Sequence, residues 1–259
     1  MKLVLKEGKK CDVFVAIFHH LKGFSDHINI EFSEDFLFVR GMDSSHVSIY
    51  DLKLDKNWFD TYELEPEDSK LIGVNVNILY KILNTKQEKQ NLQFSFTEYN
   101  SNLDIYFISE DKSEFNNQFV MPLMDIDVDS VDIPEKEHQA EIIISTSKFC
   151  LIMEQLSIFA DSFVIECKEE GVKCITTGIE GKLTIDMDLE NMSEYSIEEN
   201  LELRAGFATK LVQKVCNFKT LSANISLGIT KDYPLEIQYN IDETSFMRFM
   251  IAPKIDDDE

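Results

Sequence analysis

The chain has 259 residues and is strongly acidic, with 48 Asp and Glu against 25 Lys and Arg and a formal net charge of -23. Its hydrophobic fraction of 44% can fill ordinary globular cores, and no apolar run approaches the roughly 18 residues of a membrane span. This composition excludes a helical membrane protein, and the net charge should on average repel nucleic acids and membrane surfaces alike.

An average charge does not decide local contacts, because screening at physiological salt has a length of roughly 8 Å. A lysine-lined surface can therefore hold phosphate while acidic residues crowd another face. The three arginines, Arg40, Arg204 and Arg248, all fall in strand-like segments. Since arginine is the usual bidentate reader of guanine, the sequence does not support sequence-specific base readout.

The N-terminus has an apolar run of only three residues and no small-residue cleavage site, so we expect no signal peptide and an intracellular protein. The cysteines are odd in number and form no C-x-x-C pair, which indicates reduced residues within apolar stretches. They are Cys11, Cys150, Cys167, Cys174 and Cys216.

Four short helices are predicted in chain order. The first carries an apolar stripe at 3.6-residue spacing and stops near Gly23; the second spans 76–83, the third runs from about 147 to 158, and the fourth spans 208–218. The stripe of the first is Cys11, Phe14, Val15, Phe18 and Leu21, and the inward side of the third is Phe149, Ile152, Met153 and Leu156. The rest of the chain alternates with period two, which is typical of antiparallel sheets with one buried face.

The two halves of the chain repeat these patterns at a period of about 134 residues. The segment H-I-N-I-E-F at 27–32 corresponds to S-F-V-I-E-C at 162–167, and the distance from Ile82 to Leu92 equals that from Val215 to Ile225. We therefore predict an α+β fold of two similar domains, each with antiparallel sheet and two helices. The expected boundaries are residues 1–120, a connector at 121–138, and residues 139–259.

The predicted connector is extended and acidic. Pro122 and Pro134 exclude a helix through its ends, and apolar Met124, Ile126 and Val128 alternate with Asp125, Asp127 and Asp129, which we expect to face water. The three aspartates match the first ligand positions of a calcium loop. Position six is Ser130 rather than glycine and position twelve is Lys136 rather than glutamate, so no metal site and no cofactor are predicted.

Catalytic motifs are weak throughout the sequence. Of the five histidines, His46 lies beside Asp and Ser in the segment 43–48, and on a strand such neighbours alternate between opposite faces. There is no glycine-rich phosphate loop and no H-E-x-x-H motif. We expect a protein that is not an enzyme.

Four motifs recur in order along the whole chain: M-D-S-S-H-V-S at 42–48, L-I-G-V-N-V at 71–76, L-M-D-I-D-V at 123–128 followed by I-P-E from 133, and A-P-K-I-D-D from 252. Together they resemble proliferating cell nuclear antigen, the eukaryotic sliding clamp. The resemblance implies a processivity factor for DNA replication and repair: a homotrimeric ring in the nucleus, or at an intracellular viral replication site, that encircles duplex DNA without sequence preference. The implied protein partners are DNA polymerase, the clamp loader and other proteins with clamp-interacting peptides.

In the resembled family the helices line the hole, so lysines on the predicted helices are candidate phosphate contacts. A sliding ring needs weak, exchangeable contacts, and the point charge of an ammonium group suits them. The candidates are Lys10, Lys22, Lys81, Lys86, Lys210, Lys214 and Lys219. Where the family has arginines on its third helix, this chain has Leu151 and Glu154, which implies a weaker or redistributed grip on DNA.

The resemblance also implies a groove for the peptides of partner proteins, walled by the connector. Apolar residues in a polar connector fit such a groove, since it would receive aromatic anchors. The residues that correspond to it are Met42, His46, Val47, Val131, Ile133, Pro134, Tyr233, Pro234, Met250, Ala252 and Pro253. For each residue the alternative is packing of the connector onto its own domain.

Two other functions remain open at this point. One is a checkpoint-type clamp subunit that assembles only with different partners. The other is an acidic protein that mimics DNA, which would spread carboxylates over its helices. The predicted helices carry lysines instead.

Overall fold

A computed structural model describes residues 1–6, 8–64, 70–96, 101–112, 114–127 and 136–254. The helices are α1 (Lys9–Leu21), α2 (Val76–Leu83), α3 (Thr146–Leu156) and α4 (Thr209–Cys216). The first nine strands are β1 (Lys2–Leu5), β2 (His27–Phe32), β3 (Phe36–Met42), β4 (Ser48–Asp55), β5 (Thr61–Glu63), β6 (Lys70–Asn75), β7 (Asn91–Ser95), β8 (Asn102–Ile108) and β9 (Asn117–Pro122). The other nine are β10 (Ala140–Ser145), β11 (Ser162–Lys168), β12 (Gly171–Gly178), β13 (Gly181–Asp188), β14 (Glu194–Ile197), β15 (Leu203–Ala208), β16 (Asn224–Ile229), β17 (Leu235–Asn240) and β18 (Phe246–Ile251).

The chain divides into two compact units. The N-terminal unit comprises Met1–Ser44, Asp51–Ser130 and Asp242–Phe246, and the C-terminal unit comprises Ser45–Tyr50, Val131–Ile241 and Met247–Glu259. Each unit runs strand, helix, three strands, a short 3-10 helix, a strand, and then strand, helix, three strands again. The predicted α+β duplication is confirmed by this order.

Strand order repeats as exactly as element order. The N-terminal unit has the order β5-β1-β7-β8-β9 in one sheet and β4-β3-β2-β6 in another, and the C-terminal unit has β14-β10-β16-β17-β18 and β13-β12-β11-β15. Every strand occupies the position of its counterpart nine strands away. Even the 3-10 helices correspond, since Asp55 begins one and Asp188 the other.

Aromatic side chains fill much of the core of the N-terminal unit. Phe14 of α1 lies 4.8 Å from Phe18, 5.5 Å from Phe94 of β7 and 6.2 Å from Trp58, measured between ring centroids. The helix α2 contacts β2 and β6. The helix pair therefore covers both sheets of its unit.

The core of the C-terminal unit is built in the same way. The helix α3 contacts β10, β12 and β16, and α4 contacts β11. Phe218, just after α4, lies 5.0 Å from Phe249 of β18, and Phe163 lies 6.1 Å from Phe207.

The helix predictions are confirmed to within about two residues at the ends, and α2 matches at both ends. Asn75 explains its sharp start, because the Asn75 side chain accepts a hydrogen bond of 3.0 Å from the backbone N–H of Ile78. In α1 the buried stripe includes Ile17, and Val15 is only half-buried. The 13-residue helix has apolar residues in two neighbouring rows along its surface. The row that contains Ile17 is the one packed into the core.

The connector does not begin at Met121, because β9 continues through Met121 and Pro122. Met124 then forms an isolated bridge with Gly73 of β6, and its side chain is 41% exposed. Met124 and Asp125 are thus both exposed, although the sequence alternates apolar and acidic residues here. Asp125 and Asp127 are exposed as predicted, whereas Val128 and Asp129 lie outside the described residues.

Candidate nucleic-acid interface and partner-binding surface

The four helices invert the charge balance of the chain. They carry six lysines against two acidic residues, Asp12 and Glu154, although the whole chain has 48 acidic residues and 25 basic ones. The six lysines are Lys9, Lys10, Lys81, Lys148, Lys210 and Lys214. All six are exposed, so each helix pair presents ammonium groups to solvent.

Four of the predicted lysines lie on helices and three follow them. Lys10, Lys81, Lys210 and Lys214 are helical, Lys22 and Lys219 come just after α1 and α4, and Lys86 lies beyond α2. Five of the seven are exposed, whereas Lys22 and Lys86 are half-buried.

Two of these lysines are engaged within their own unit. The ammonium group of Lys22 lies 4.2 Å from the ring centroid of Tyr80, a cation-π distance, and the Lys86 Nζ donates to the Gln87 carbonyl oxygen at 2.8 Å. Both groups have to exchange these contacts before they meet a phosphate. They are weaker candidates than the exposed lysines.

A stack of rings lies between α1 and α2. His19 stacks on Tyr80 with centroids 4.5 Å apart and planes 10° apart, and His20 stacks on His19 at 4.6 Å. Burial lowers the pKa of His19 and His20, and the nearby charge of Lys22 lowers it further. These histidines therefore resist protonation.

The pair of α3 and α4 has a different surface. Leu151 is 54% exposed and Glu154 is exposed as well, at the positions where the resemblance implied arginines. On α4 the Lys210 Nζ lies 3.0 Å from a carboxylate oxygen of Asp161, with both side chains largely exposed. Such a pair is weak and can exchange with another anion.

Two helical lysines were not singled out from the sequence. Lys9 begins α1, and Lys148 lies on α3, where its Nζ is 3.4 Å from the Asn191 carbonyl oxygen. The charge of Lys148 restores some positive potential near Leu151 and Glu154. Both lysines could have been identified from the sequence, because they fall within or beside the predicted helices.

Several predicted groove residues meet in the C-terminal unit. His46 is exposed with a φ of 57°, and Val47 is 37% exposed. The backbone N–H of Ala252 donates to the Val47 carbonyl oxygen at 2.9 Å, so the segment before β4 and the segment after β18 run side by side. Pro253 follows and is half-buried.

The other groove residues differ in accessibility. Tyr233 and Pro234 are half-buried, and the ammonium group of Lys136 lies 5.3 Å from the Tyr233 ring centroid. Met250 is only 4% exposed, so it supports this surface from below. Met42 is half-buried at the end of β3 in the N-terminal unit. Three groove residues lie outside the described residues: Val131, Ile133 and Pro134.

Each described end of the connector approaches a glycine. A Cβ on Gly73 would lie 2.3 Å from the Met124 carbonyl oxygen and 2.8 Å from Ile126, and a Cβ on Gly228 would lie 2.3 Å from the His138 ring. The backbone contact requires glycine at position 73, and a side chain at position 228 would displace the His138 ring. The Asn29 side chain also donates to the Ile126 carbonyl oxygen at 3.3 Å.

His138 is held by an acidic partner. Its Nε2 lies 3.5 Å from a carboxylate oxygen of Glu236, and neither side chain is more than a quarter exposed. The hydrogen bond with Glu236 raises the pKa of His138 against the opposing effect of burial. Protonation of His138 therefore strengthens this anchor.

Two of the outermost strands lie in different units and can pair with another chain. β9 is the outermost strand of its sheet in the N-terminal unit, and β13 is the outermost strand of its sheet in the C-terminal unit. β9 pairs with β8 on one side, and β13 pairs with β12. The extended patterns at 116–120 and 182–189 predict edge strands for a head-to-tail ring, and β9 and β13, both outermost strands, cover most of these positions.

Within the described ranges, no three His, Cys, Asp or Glu side chains are grouped so as to hold a metal ion. In the same part of the chain, no helix combines the length and apolar character needed to cross a membrane.

Comparison with known proteins agrees with the geometry. The family described as proliferating cell nuclear antigen, N-terminal domain, matches residues 5–132, and proliferating cell nuclear antigen, C-terminal domain, matches residues 132–254. Proliferating cell nuclear antigen 1 from two isolates of Plasmodium falciparum, K1/Thailand and 3D7, is 28% identical over 262 aligned residues, which cover 95% of this chain and 94% of the relative. The chain is therefore a divergent member of the proliferating cell nuclear antigen family, the non-enzymatic DNA sliding clamps that act as processivity factors in replication and repair.

Proposed function

We propose that three copies of this chain close head to tail into a homotrimeric ring around duplex DNA in the nucleus. The ring tethers DNA polymerase, is opened by a clamp loader, and receives the clamp-interacting peptides of other replication and repair proteins. The observation that carries this proposal is the charge of the helices, where six lysines face two acidic residues in a chain of net charge -23.

The free edges support closure into a ring. β9 and β13 belong to different units, so pairing β9 of one copy with β13 of the next is a heterologous contact. Such a contact repeats until the assembly closes, and it removes both exposed edges. Val120 of β9 is 57% exposed, an apolar surface that this contact would cover.

The lysines support sliding. Phosphate contacts without base readout hold a protein on any sequence, and they weaken steeply with salt. A closed ring remains on the duplex even when each contact is weak. Lys10, Lys81, Lys210, Lys214 and Lys219 are the exposed candidates, and Lys22 and Lys86 supplement them.

The ring can be tested by light scattering on Phe119→Pro and Thr184→Pro, each of which removes a backbone donor from a proposed edge. Wild type should have three times the mass of the chain, and both variants should dissociate. The matched control is Leu71→Pro in β6, the outermost strand of another sheet. Folding is checked by circular dichroism in every case.

Two outcomes contradict the ring. One is a wild-type protein that stays monomeric at all concentrations, which would favour a checkpoint-type subunit that needs different partners. The other is a folded pair of edge variants that both remain trimeric.

The partner groove rests on the resemblance, on the exposed Val47 and on the half-buried Tyr233. Ile133→Ala and Tyr233→Ala should each lower the affinity for a fluorescently labelled clamp-interacting peptide by about 5- to 150-fold. Truncating an anchor-contacting residue costs about 1 to 3 kcal/mol of binding free energy. The control is Asp127→Ala on the exposed side of the connector. Equal losses in the control, or none in either groove variant, would place the peptide elsewhere.

A further inference from the structure

Two cysteines meet between the helices of the C-terminal unit. Cys150 lies on α3, and Cys216 is the last residue of α4, 66 positions later. The Cys150 thiol donates a hydrogen bond of 3.8 Å to the Cys216 carbonyl oxygen, so the two cysteines are neighbours across the helix pair. Both residues are half-buried free thiols, so a small reagent can reach them.

The two thiols are not equivalent. The hydrogen bond from Cys216 lowers the pKa of Cys150, and the charge of Lys219 acts in the same direction against burial. The hydrogen bond to Cys150 and burial raise the pKa of Cys216. Cys150 is therefore the thiol that ionises first, and Cys216 remains protonated beside it.

We propose that Cys150 and Cys216 form a reversible dithiol–disulfide site, which a low-molecular-weight disulfide such as glutathione disulfide oxidises to a covalent link between α3 and α4. The Cys150 thiolate attacks one sulfur of the reagent, forms a mixed disulfide and releases one glutathione thiolate. That thiolate takes the proton of Cys216, whose sulfur then attacks the Cys150 sulfur and releases the second glutathione. The protein loses two protons and two electrons, and the glutathione disulfide gains them as two glutathione thiols.

The geometry suits this link. A disulfide has a sulfur–sulfur distance of about 2.05 Å. The Cys150 Sγ already lies 3.8 Å from the Cys216 carbonyl oxygen, so side-chain rotation with a small helix shift can join the two sulfurs. The bond would restrain the helices that carry Lys148, Lys210 and Lys214.

The other cysteines provide an internal reference. Cys11, Cys167 and Cys174 are buried, and burial raises the pKa of Cys11 to about 11 and of Cys167 and Cys174 to about 12. Thiols that stay protonated and buried react slowly with disulfides. They should remain reduced under conditions that convert Cys150 and Cys216 to a disulfide.

The test is intact-mass and peptide-level mass spectrometry of the full-length protein after incubation with glutathione disulfide. Wild type should lose the mass of two hydrogens, yield one cross-linked peptide joining Cys150 to Cys216, and recover the thiols with dithiothreitol. The oxidised form should unfold several degrees higher, because the bond closes a long loop.

Two serine variants test the assigned order of attack. Cys216→Ser should stop at a mixed disulfide on Cys150, since no thiol resolves it, whereas Cys150→Ser should react at least tenfold more slowly than wild type. The proposal is overturned if wild type keeps both thiols, accumulates glutathione on both without a cross-link, or forms a disulfide through one of the buried cysteines. Wild type alone decides the cross-link, so a variant that folds poorly does not obscure the result.

Discussion

In the N-terminal unit the cleft between α1 and α2 holds stacked rings and a lysine, whereas in the C-terminal unit the facing helices hold two thiols and an exposed leucine. His19 and Lys22 each lie within 4.5 Å of the Tyr80 ring centroid in the first case. Cys150 and Cys216 share a hydrogen bond in the second. The strand order around the two helix pairs is nevertheless the same.

The difference teaches that the duplicated fold constrains the buried sides of the helices and leaves the outer sides free to diverge. α2 ends at the buried Leu83, whereas α4 ends at the half-buried Cys216, at the corresponding place. Each helix pair still has to cover the sheets of its unit, so the apolar stripes persist. The outer residues need only keep enough positive charge for phosphate.

The sheets of the two units also differ, and this difference should have the largest effect on stability. In the N-terminal unit the guanidinium group of Arg40 binds Asp51 through two hydrogen bonds of 2.7 and 2.8 Å, and Asp51 is fully buried. In the C-terminal unit Arg204 and Glu166 are 3.6 Å apart, and the Arg204 side chain is 68% exposed.

Asp51→Ala should lower the free energy of unfolding by about 2 to 4 kcal/mol, because it leaves the Arg40 charge without its buried partner. Glu166→Ala should cost less than about 1 kcal/mol, as expected of an exposed pair. Urea unfolding measures both. Equal losses would mean that the burial of Asp51 contributes nothing beyond an exposed contact.

The second comparison concerns DNA and the two helical lysines Lys81 and Lys210. Lys81 forms no ion pair within the described residues, whereas Lys210 has to leave Asp161 before it meets a phosphate. Each alanine substitution should reduce the slope of log affinity against log salt by about 0.9 for duplex DNA. Lys81→Ala should lose more affinity for DNA than Lys210→Ala. Asp161→Ala should bind DNA more tightly than wild type, by less than about fivefold.

Fluorescence anisotropy of a labelled linear duplex across a salt series provides the measurement. Lys2→Ala on β1 and Lys173→Ala on β12 are the controls, since each removes the same charge from a sheet. An unchanged slope in the Lys81/Lys210 double variant would move the phosphate contacts off the helices. So would an equal fall in the controls.

The smallest expected effect is an opposite response of the two units to acid. The pKa of His138 is raised in the folded protein, so its stabilising contribution is full below the unfolded value of about 6.5 and disappears as the pH rises through the raised value. The pKa values of His19 and His20 are lowered, so folding is penalised as the pH falls from about 6.5 through them.

Urea unfolding between about pH 5 and 8 should therefore separate His138→Gln from the His19→Gln/His20→Gln double variant. Relative to wild type, His138→Gln should become less stable as the pH falls, and the double variant should become more stable. The same sign of change in both would refute the contrast.

Much of the fold was predictable from the sequence, because apolar periodicity records which side of each element is buried. The period of about 134 residues, the four helices and the edge strands β9 and β13 followed from pattern alone. The motifs from Met42 to Asp257 indicated the clamp family, since four weak signals in fixed order are jointly specific. The helical lysines could be listed from the sequence because a charged residue on a short amphipathic helix lies on its exposed side.

The tertiary structure decided what depends on distances between elements far apart in sequence. The sequence around Gly73 and Gly228 does not indicate that the connector passes within van der Waals distance of each glycine. The stack of His19 on Tyr80 joins residues on different helices, as does the contact between Cys150 and Cys216, 66 positions apart. Periodicity assigns a residue to a buried or exposed side, but only the packing of the helices determines which side chains meet across their contact and how their protons are held.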